Sequence, residues 1–259
     1  MEFNRPRKIL EAKGITLGCG KPKICIPIVG ENVRELLVEI DQLPNEACDI
    51  VEWRVDFLEK CEQVDHVLET LSQVRNAIKD KPLIFTFRNK KEGGQRQLTD
   101  ERYFSLLTAV VHSRLVEYID IELAKAEKDV RAFITTAHKC GCYVIVSNHE
   151  FTKTPTKEIM TSRLLRAIDL GADVPKLAVM PQNSADVLSL LEVTLSISEK
   201  SPVPIVTMAM GKLGALSRVS GSVFGSAMTF AAGKKPSAPG QFSAIELKRV
   251  LNVLEDERQ

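Results

Sequence analysis

The sequence predicts an α/β fold of the (β/α)8 (TIM) barrel type, and three observations support this prediction. Short runs rich in Val, Ile, Phe and Met recur along the chain, and segments with helical hydrophobic spacing lie between them. About eight strands alternate with about eight helices in 259 residues, which is the size and element count of such a barrel. A doubly wound open sheet is the competing fold, but Ile28-Val29-Gly30-Glu31 lacks the glycine-rich turn expected after its first strand.

The composition is that of a globular protein with a sizeable core. Hydrophobic residues make up 44% and charged residues 27% of the chain, and 35 basic against 34 acidic residues leave a net charge of +1. Neither nucleic acid nor a membrane is therefore an expected partner. No apolar run approaches a membrane span, and the basic start has no apolar core typical of a signal peptide. We expect a cytoplasmic protein in which residues 1–259 form one barrel domain.

Residues 1–23 are predicted to form an extension that contains a small hairpin. Ile9-Leu10-Glu11 and Ile15-Thr16-Leu17 are joined around Lys13-Gly14, a turn signal. We expect this hairpin at the edge of the main fold.

The barrel strands are predicted from short apolar runs bounded by turn residues. These runs cover residues 24–29, 50–55, 83–87, 118–123, 143–147, 175–180 and 204–208, with a weaker candidate at 223–229.

The helices are predicted from apolar residues that recur on one face. Segments 33–43, 64–78, 130–137, 187–194, 213–219 and 247–254 show this spacing. Thr99 is expected to cap another helix whose first turn holds Asp100. Thr154 followed by Pro155 predicts a cap and first helical residue, and Gly171 predicts the end of that helix.

The cysteines predict neither disulfides nor a metal site. All six are scattered, without a Cys-x-x-Cys pair, in a chain long enough to bury them as thiols. His138, Cys140, Cys142 and His149 are the one set that could suggest metal ligands. A predicted strand separates the first three residues from His149, too far for one tetrahedral ion.

Polar residues collect at the predicted carboxyl ends of the strands, where a barrel holds its active site. They are Glu52, Arg54, Asp56, Arg88, Lys90, Lys91, Glu92, Asp120, Glu122, His149, Lys176, Arg218 and the residues of the 237–241 segment, together with Met208 and Met210. Each alone has an ordinary explanation as a surface residue or a structural ion pair. Their coincidence at one end of successive strands predicts a single site.

Lys176 and His149 indicate the chemistry. Lys176 lies near the start of the nearly apolar run 174–181, where an ammonium is costly unless it is paired or neutralised. An uncharged amine there can form an imine with a ketone, and a histidine can move protons near neutral pH. The alternative is that Lys176 lies at a strand end and reaches water. Arginines could hold a carboxylate or hydroxyl groups, which predicts a polyhydroxylated keto acid as substrate.

Seven segments taken together, in this order, resemble the type I 3-dehydroquinate dehydratase family. They are Glu52-Trp53-Arg54-Val55-Asp56, Thr86-Phe87-Arg88 with Glu92-Gly93-Gly94, Asp120-Ile121-Glu122, Ser147-Asn148-His149, Pro175-Lys176-Leu177-Ala178-Val179-Met180-Pro181, Met208-Ala209-Met210-Gly211 and Ser237-Ala238-Pro239-Gly240-Gln241. The resemblance runs from about Lys21 to the end of the chain.

The resemblance implies conversion of 3-dehydroquinate to 3-dehydroshikimate, a step of the shikimate pathway towards aromatic amino acids. It implies a (β/α)8 barrel whose N-terminal hairpin closes the barrel bottom, a homodimer, and no metal or organic cofactor. Lys176 matches the lysine that forms an imine with the C3 ketone. His149 matches the base that removes a C2 proton and then protonates the departing C1 hydroxyl, a syn elimination. Glu92 matches the acid that orients His149.

The remaining site residues also follow from the resemblance. Glu52, Arg54 and Arg88 match residues that contact substrate hydroxyls, and Arg218 matches the residue that binds the carboxylate. Ser237, Ala238 and Gln241 match a loop that closes over the substrate. The apolar walls of the site are matched by Met208, Met210 and Phe230. Pro27 stands where some members carry serine, so we assign no substrate contact there.

Two alternatives to this activity stay open at this point. One is a lysine-imine aldolase of the transaldolase type, and the other is a non-catalytic barrel that serves as a binding module. The sequence also leaves open whether the reaction serves biosynthesis or the breakdown of quinate.

Overall fold

Eight parallel strands form a barrel in the computed structural model, which describes residues 8–233 and 237–256. Those parts of the predicted domain at 1–7, 234–236 and 257–259 lie outside the described residues. The barrel strands are β3 Lys23–Ile28, β4 Ile50–Arg54, β5 Leu83–Thr86, β6 Tyr118–Glu122, β7 Tyr143–Glu150, β8 Val174–Val179, β9 Val206–Ala209 and β10 Met228–Phe230, preceded by β1 Leu10–Ala12 and β2 Ile15–Leu17. The (β/α)8 prediction is confirmed.

The sheet closes between its first and last members. Its strand order is β10-β3-β4-β5-β6-β7-β8-β9, and each neighbouring pair is parallel. Between β9 and β10, the Ala227 backbone N–H donates to the Ile205 carbonyl at 2.8 Å, and Ile205 also forms a bridge with Ser226. These contacts complete the barrel.

Helices connect the parallel strands and cover the outer face of the sheet. They are α1 Val33–Asp41, α2 Val64–Ile78, α3 Asp100–Ser113, α4 Glu127–Lys139, α5 Lys157–Asp169, α6 Ser184–Lys200, α7 Ala215–Val219, α8 Gly221–Phe224 and α9 Ala244–Asp256, with short 3-10 turns at Asn45–Ala47, Val55–Phe57 and Lys90–Glu92. Outward strand residues such as Trp53 and Phe85 pack against helix residues such as Leu71 and form the main core. Thr99 caps α3 as predicted, since its side chain accepts the Arg102 backbone N–H.

Three predicted boundaries are wrong. The last strand does not cover 223–229, because Val223 lies in α8, half exposed, and Gly225 with φ of +95° ends that helix before the strand begins. Helix α5 begins after Thr156, whose backbone is extended, and not at Thr154. Strand β7 continues through His149, beyond its predicted end at residue 147, because this segment pairs with β8 as far as Glu150.

The hairpin of β1 and β2 closes the amino-terminal end of the barrel. Leu10 and Leu17 are fully buried, and they cluster with the inward side chains at the strand starts, among them Ile50 and Val174. The hairpin therefore lies beneath the barrel, as the family resemblance implies, and not merely at the edge of the fold.

Within ranges 8–233 and 237–256, no helix combines the length and the apolar character needed to cross a bilayer. Over the same ranges, no group of three or more His, Cys, Asp or Glu side chains is arranged to hold a metal ion. All six cysteines are free thiols.

Leu10→Ala is expected to destabilise the protein by about 3 kcal/mol, because it opens a cavity where the hairpin meets the barrel. The neighbouring change Ile9→Ala is the matched control. Ile9 is 54% exposed, so its truncation should stay within about 0.5 kcal/mol of the original protein. Urea unfolding of the two variants measures the difference, and equal midpoints would show that the hairpin does not support the barrel.

Candidate active site

The inward positions of the strands change from apolar to polar towards their carboxyl ends. On β4, Ile50 belongs to the apolar bottom cluster, whereas Glu52 and Arg54 line a pocket above it. On β8, Val174 is followed in the same way by Lys176. Because every second strand residue faces inward, one alternating pattern builds both the apolar bottom and the polar top.

All thirteen residues to which the sequence analysis gave catalytic or substrate-binding roles line one pocket. They are Glu52, Arg54, Arg88, Glu92, His149, Lys176, Met208, Met210, Arg218, Phe230, Ser237, Ala238 and Gln241, and the pocket also includes Gly93, Phe151 and Ala178. The structure thus brings together segments from along the whole chain.

Lys176 is buried, which contradicts the alternative that it lies at a strand end and reaches water. Its Nζ lies 3.4 Å from Oδ2 of Asp120 and 3.6 Å from Oε1 of Glu52, and 4.4 Å from the centroid of the Phe230 ring. Its residue is only 6% exposed. Two carboxylates therefore compensate a positive charge on this nitrogen, whether that charge belongs to an ammonium or to a protonated imine.

Asp120 contacts both Lys176 and Arg88, the arginine that follows strand β5. It accepts hydrogen bonds from Nη2 of Arg88 and from Oγ of Ser147, both at 2.7 Å. Burial acts to raise the pKa of Asp120, but Arg88 and Lys176 outweigh it and hold that pKa below its ordinary value. Asp120 is thus a permanent negative charge beside the lysine.

His149 and Glu92 form a buried pair above the lysine strand. One carboxylate oxygen of Glu92, Oε2, accepts from the His149 backbone N–H and lies 3.0 Å from the His149 Nδ1. Burial lowers the pKa of His149 well below its ordinary value, and the charges of Arg88, Lys176 and Arg54 lower it further. When Glu92 is ionised it can only accept a hydrogen bond, so the imidazole then carries its hydrogen on Nδ1 and keeps a free lone pair on Nε2.

The acidity of Glu92 is shifted in the opposite direction. Burial raises the pKa of Glu92 to about 7; Glu122 and Asp120 also raise it, whereas Arg88 and the hydrogen bond from the His149 backbone lower it. The Glu92–His149 pair therefore titrates near neutral pH, where a proton-transferring pair is most effective.

Arg218 is a buried cation that, within the described part of the chain, contacts backbone carbonyls and forms no ion pair with a carboxylate. It is 1% exposed, and its guanidinium donates to the carbonyls of Phe230 at 3.3 Å and Pro239 at 3.1 Å. Its Nε has no hydrogen-bond partner, and no ion pair joins Arg218 to a carboxylate of the described residues. Burial lowers its pKa to about 10, so it stays charged at neutral pH. Such a group favours an anionic ligand.

A short loop at residues 237–241 covers the Arg218 side of the pocket. The Ser237 backbone N–H donates to Oε1 of Gln241 at 2.9 Å, and the Gln241 amide donates back to the Ser237 hydroxyl at 3.1 Å. The Pro239 carbonyl also accepts from the Gly211 N–H. Gly240 has φ of +77°, and a Cβ there would lie 2.2 Å from the Gly211 oxygen, so glycine allows this close docking.

The sequence analysis did not name Phe151, and it placed Asp120 among the polar residues of the site without giving it a role of its own. The Phe151 ring stacks on the His149 ring with centroids 6.5 Å apart. Gly93, with φ of +84°, lies so close that a Cβ would come within 2.2 Å of the Phe151 ring. Asp120 could have been chosen from its inward position on β6. Phe151 follows the end of β7, and no sequence pattern places it over the imidazole.

Comparison with known proteins identifies the relatives of this chain. A family model described as type I 3-dehydroquinase matches residues 24–258. The chain is 51% identical to a 3-dehydroquinate dehydratase of Bacillus licheniformis, over 96% of this chain and 98% of that protein. It is 48% identical to a 3-dehydroquinate dehydratase of Clostridium novyi, over 95% and 98%.

Solved structures of the same kind superpose closely. The crystal structure of a type I 3-dehydroquinate dehydratase from Clostridium difficile, with covalently modified comenic acid, has a TM-score of 0.94 at 45% identity and covers 97% of this chain and 99% of that one. The 3-dehydroquinate dehydratase of Geobacillus kaustophilus has a TM-score of 0.95 at 36% identity, with both chains fully covered.

Glu92→Gln is expected to change how stability depends on pH. In the unfolded chain Glu92 ionises near its ordinary pKa, but in the folded protein it keeps its proton until about pH 7. Folding stability from this group is therefore lost as pH rises between these values, by on the order of 3 kcal/mol. Glutamine does not titrate, so the variant lacks this loss. The difference in free energy of unfolding between the variant and the original protein should therefore grow as pH rises from the ordinary glutamate pKa to about pH 7, and it should stay constant at lower and higher pH.

Urea unfolding at several pH values between about pH 4 and pH 8 measures this difference. Glu59→Gln, at an exposed glutamate, is the control and should run parallel to the original protein throughout. Parallel curves for the Glu92 variant as well would contradict the raised pKa.

Proposed function

The chain belongs to the type I 3-dehydroquinase family, and from this premise we propose that it dehydrates 3-dehydroquinate to 3-dehydroshikimate through an imine on Lys176. The single observation that carries the proposal is the position of the Lys176 amine. It is buried between Glu52 and Asp120 in the same pocket as a neutral His149 and the uncompensated Arg218. Such a pocket suits a substrate with one ketone and one carboxylate. The reaction makes the protein a lyase of the shikimate pathway.

In the first step Lys176 attacks the C3 ketone as the free amine. The carbonyl oxygen leaves as water, one proton is taken up, and a protonated imine forms. Its positive nitrogen stays beside Asp120 and Glu52, within 3.4 and 3.6 Å of the present amine position. This compensation stabilises the cation in a pocket with little water.

In the second step the neutral imidazole of His149 takes a proton from C2. The electrons of that C–H bond move towards the imine nitrogen and form an enamine. The enamine then expels the C1 hydroxyl, which receives the proton from the same imidazole and leaves as water. One base acting on one face gives a syn elimination, and hydrolysis of the conjugated imine returns Lys176.

The other side chains hold the substrate. Arg218, which has a free Nε donor, is proposed to bind the carboxylate. Glu52, Arg54 and Arg88 are proposed to contact hydroxyl groups, Met208, Met210 and Phe230 to pack against the ring, and Ser237, Ala238 and Gln241 to cover it. Residues 1–259 as one domain, the homodimer and the cytoplasmic location stay predictions.

The aldolase and non-catalytic alternatives are less favoured. Relatives 48–51% identical over nearly the whole chain carry the name of the dehydratase. A binding module would have no need to bury Lys176, Arg88 and Arg218 in one pocket, because each buried charge costs stability.

Borohydride trapping tests the imine. Reduction in the presence of 3-dehydroquinate should attach the substrate covalently to Lys176, as seen by peptide mass spectrometry. Lys176→Ala should abolish both the adduct and the appearance of the conjugated enone in the ultraviolet, whereas Lys153→Ala, at an exposed lysine, should change neither. An active enzyme that yields only unmodified Lys176 peptide would refute the mechanism.

His149→Ala is expected to separate imine formation from elimination. Without a positioned base, turnover should fall by about 10²- to 10⁴-fold, while borohydride still traps substrate on Lys176. Rapid-quench kinetics with mass detection measures both steps. Dehydration at nearly the original rate would show that His149 is not the base.

A further inference from the structure

Asn148 links the catalytic pair to a residue on a neighbouring helix. Its Nδ2 donates to Oε1 of Glu92 at 3.3 Å, and its Oδ1 accepts from Nη1 of Arg163 at 2.8 Å. Arg163 lies on α5 and also lies 3.6 Å from the Glu150 carboxylate. Strand alternation explains the path, because Asn148 faces away from the barrel interior, towards the helix layer, while His149 faces the pocket.

The arginine determines which way the Asn148 amide points. A guanidinium has only donors, so the amide oxygen must face Arg163 and the amide nitrogen must face Glu92. Oε1 of Glu92 therefore receives an N–H donor, and Oε2 receives the backbone N–H of His149 and lies against Nδ1. All of these neighbours favour the ionised carboxylate, whereas an amide turned the other way would favour the protonated acid.

The other charges around Glu92 oppose one another. Burial, Glu122 and Asp120 favour the neutral acid, while Arg88, with its Nη1 3.8 Å from Oε2, favours the anion. The pKa of about 7 that results means that one hydrogen bond is enough to change the protonation state at neutral pH.

We propose that Asn148 and Arg163 are positioning residues, in which Arg163 orients the Asn148 amide so that it keeps Glu92 ionised and His149 in its Nδ1–H tautomer. The proposal rests on the proposed function, in which His149 Nε2 is the base. Neither residue needs to touch the substrate, since neither lines the pocket. Their effect reaches the reaction only through Glu92.

The pH dependence of kcat/KM tests the proposal. In Arg163→Met the Asn148 amide is free to turn, which should raise the pKa of Glu92. The acid side of the kcat/KM profile should therefore shift to higher pH by about 0.5 to 1 unit, the effect of losing one hydrogen bond. Since the pKa of Glu92 is about 7, this shift should lower kcat/KM at pH 7 by about two- to sixfold. Asn148→Asp, which places a second carboxylate beside Glu92, should move this side of the profile further in the same direction. Arg163→Lys keeps a donor and should stay close to the original profile.

The matched control is Arg166→Met, an exposed arginine one turn further along α5. It removes a guanidinium from the same helix without touching Asn148 and should leave the profile unchanged. Arg163 is only partly buried, so loss of folding is not expected, and thermal unfolding of each variant verifies this. An Arg163→Met profile identical to that of Arg166→Met would overturn the proposal.

A second readout is the ¹⁵N spectrum of histidine-labelled protein, in which His149→Gln identifies the His149 signals. The original protein should show the Nδ1–H tautomer, and Arg163→Met should show a mixture with Nε2–H. An unchanged tautomer in Arg163→Met would also count against the proposal. Borohydride trapping on Lys176 should persist in every Asn148 and Arg163 variant. Absence of trapping in the original protein would refute the proposed function. Unshifted pH profiles with trapping intact would refute only the positioning role.

Discussion

Charge compensation among buried side chains is the constraint on which the rest of this structure depends. Lys176 and Arg88 are buried near the ends of the strands, and Asp120 contacts both. Each of these charges would destabilise the fold if it stood alone, and removal of one partner from such a pair costs about 3–5 kcal/mol. The network also demands the correct register of β6, β7 and β8. A slip of β6 by one residue would turn Asp120 towards the helix layer and remove the counter-ion that Lys176 and Arg88 share.

Two carboxylates compensate the charge of Lys176, whereas no carboxylate among the described residues pairs with Arg218. The proposed binding of the substrate carboxylate rests on this difference. Arg88 is paired with Asp120, Glu122 and Glu92, and it serves to organise the site. Among residues 8–233 and 237–256, the hydrogen-bond acceptors of Arg218 are backbone carbonyls, so it retains capacity for an anion. Buried polar groups of this kind contribute little to stability, and apolar packing at the opposite end of the barrel stabilises the fold instead. There the hairpin residues Leu10 and Leu17 pack with apolar strand starts, well away from the polar groups.

Much of the fold could be predicted because the barrel strands are short apolar runs and the helices have one apolar face. Prediction was wrong where local sequence was ambiguous. Val223 belongs to an apolar run, but flanking glycines allow a short helix there, and the strand begins later. His149 follows a polar Ser-Asn pair typical of a turn, yet pairing with β8 keeps it in a strand. Ladder hydrogen bonds with a neighbour distant in sequence decided that boundary, and no local pattern reports them.

The sequence by itself determined which residues could form the site. Alternation along β4 and β6 assigned Glu52 with Arg54, and Asp120 with Glu122, to one face each, and the quoted segments assigned Lys176 and His149. Only the tertiary structure decided what these groups do to one another. Burial and neighbouring charge make His149 neutral and Glu92 a weak acid, and the packing of α5 against β7 brings Arg163 to Asn148. The physical reason is that strand periodicity is local, whereas desolvation and hydrogen-bond direction depend on groups that come together only when the barrel closes.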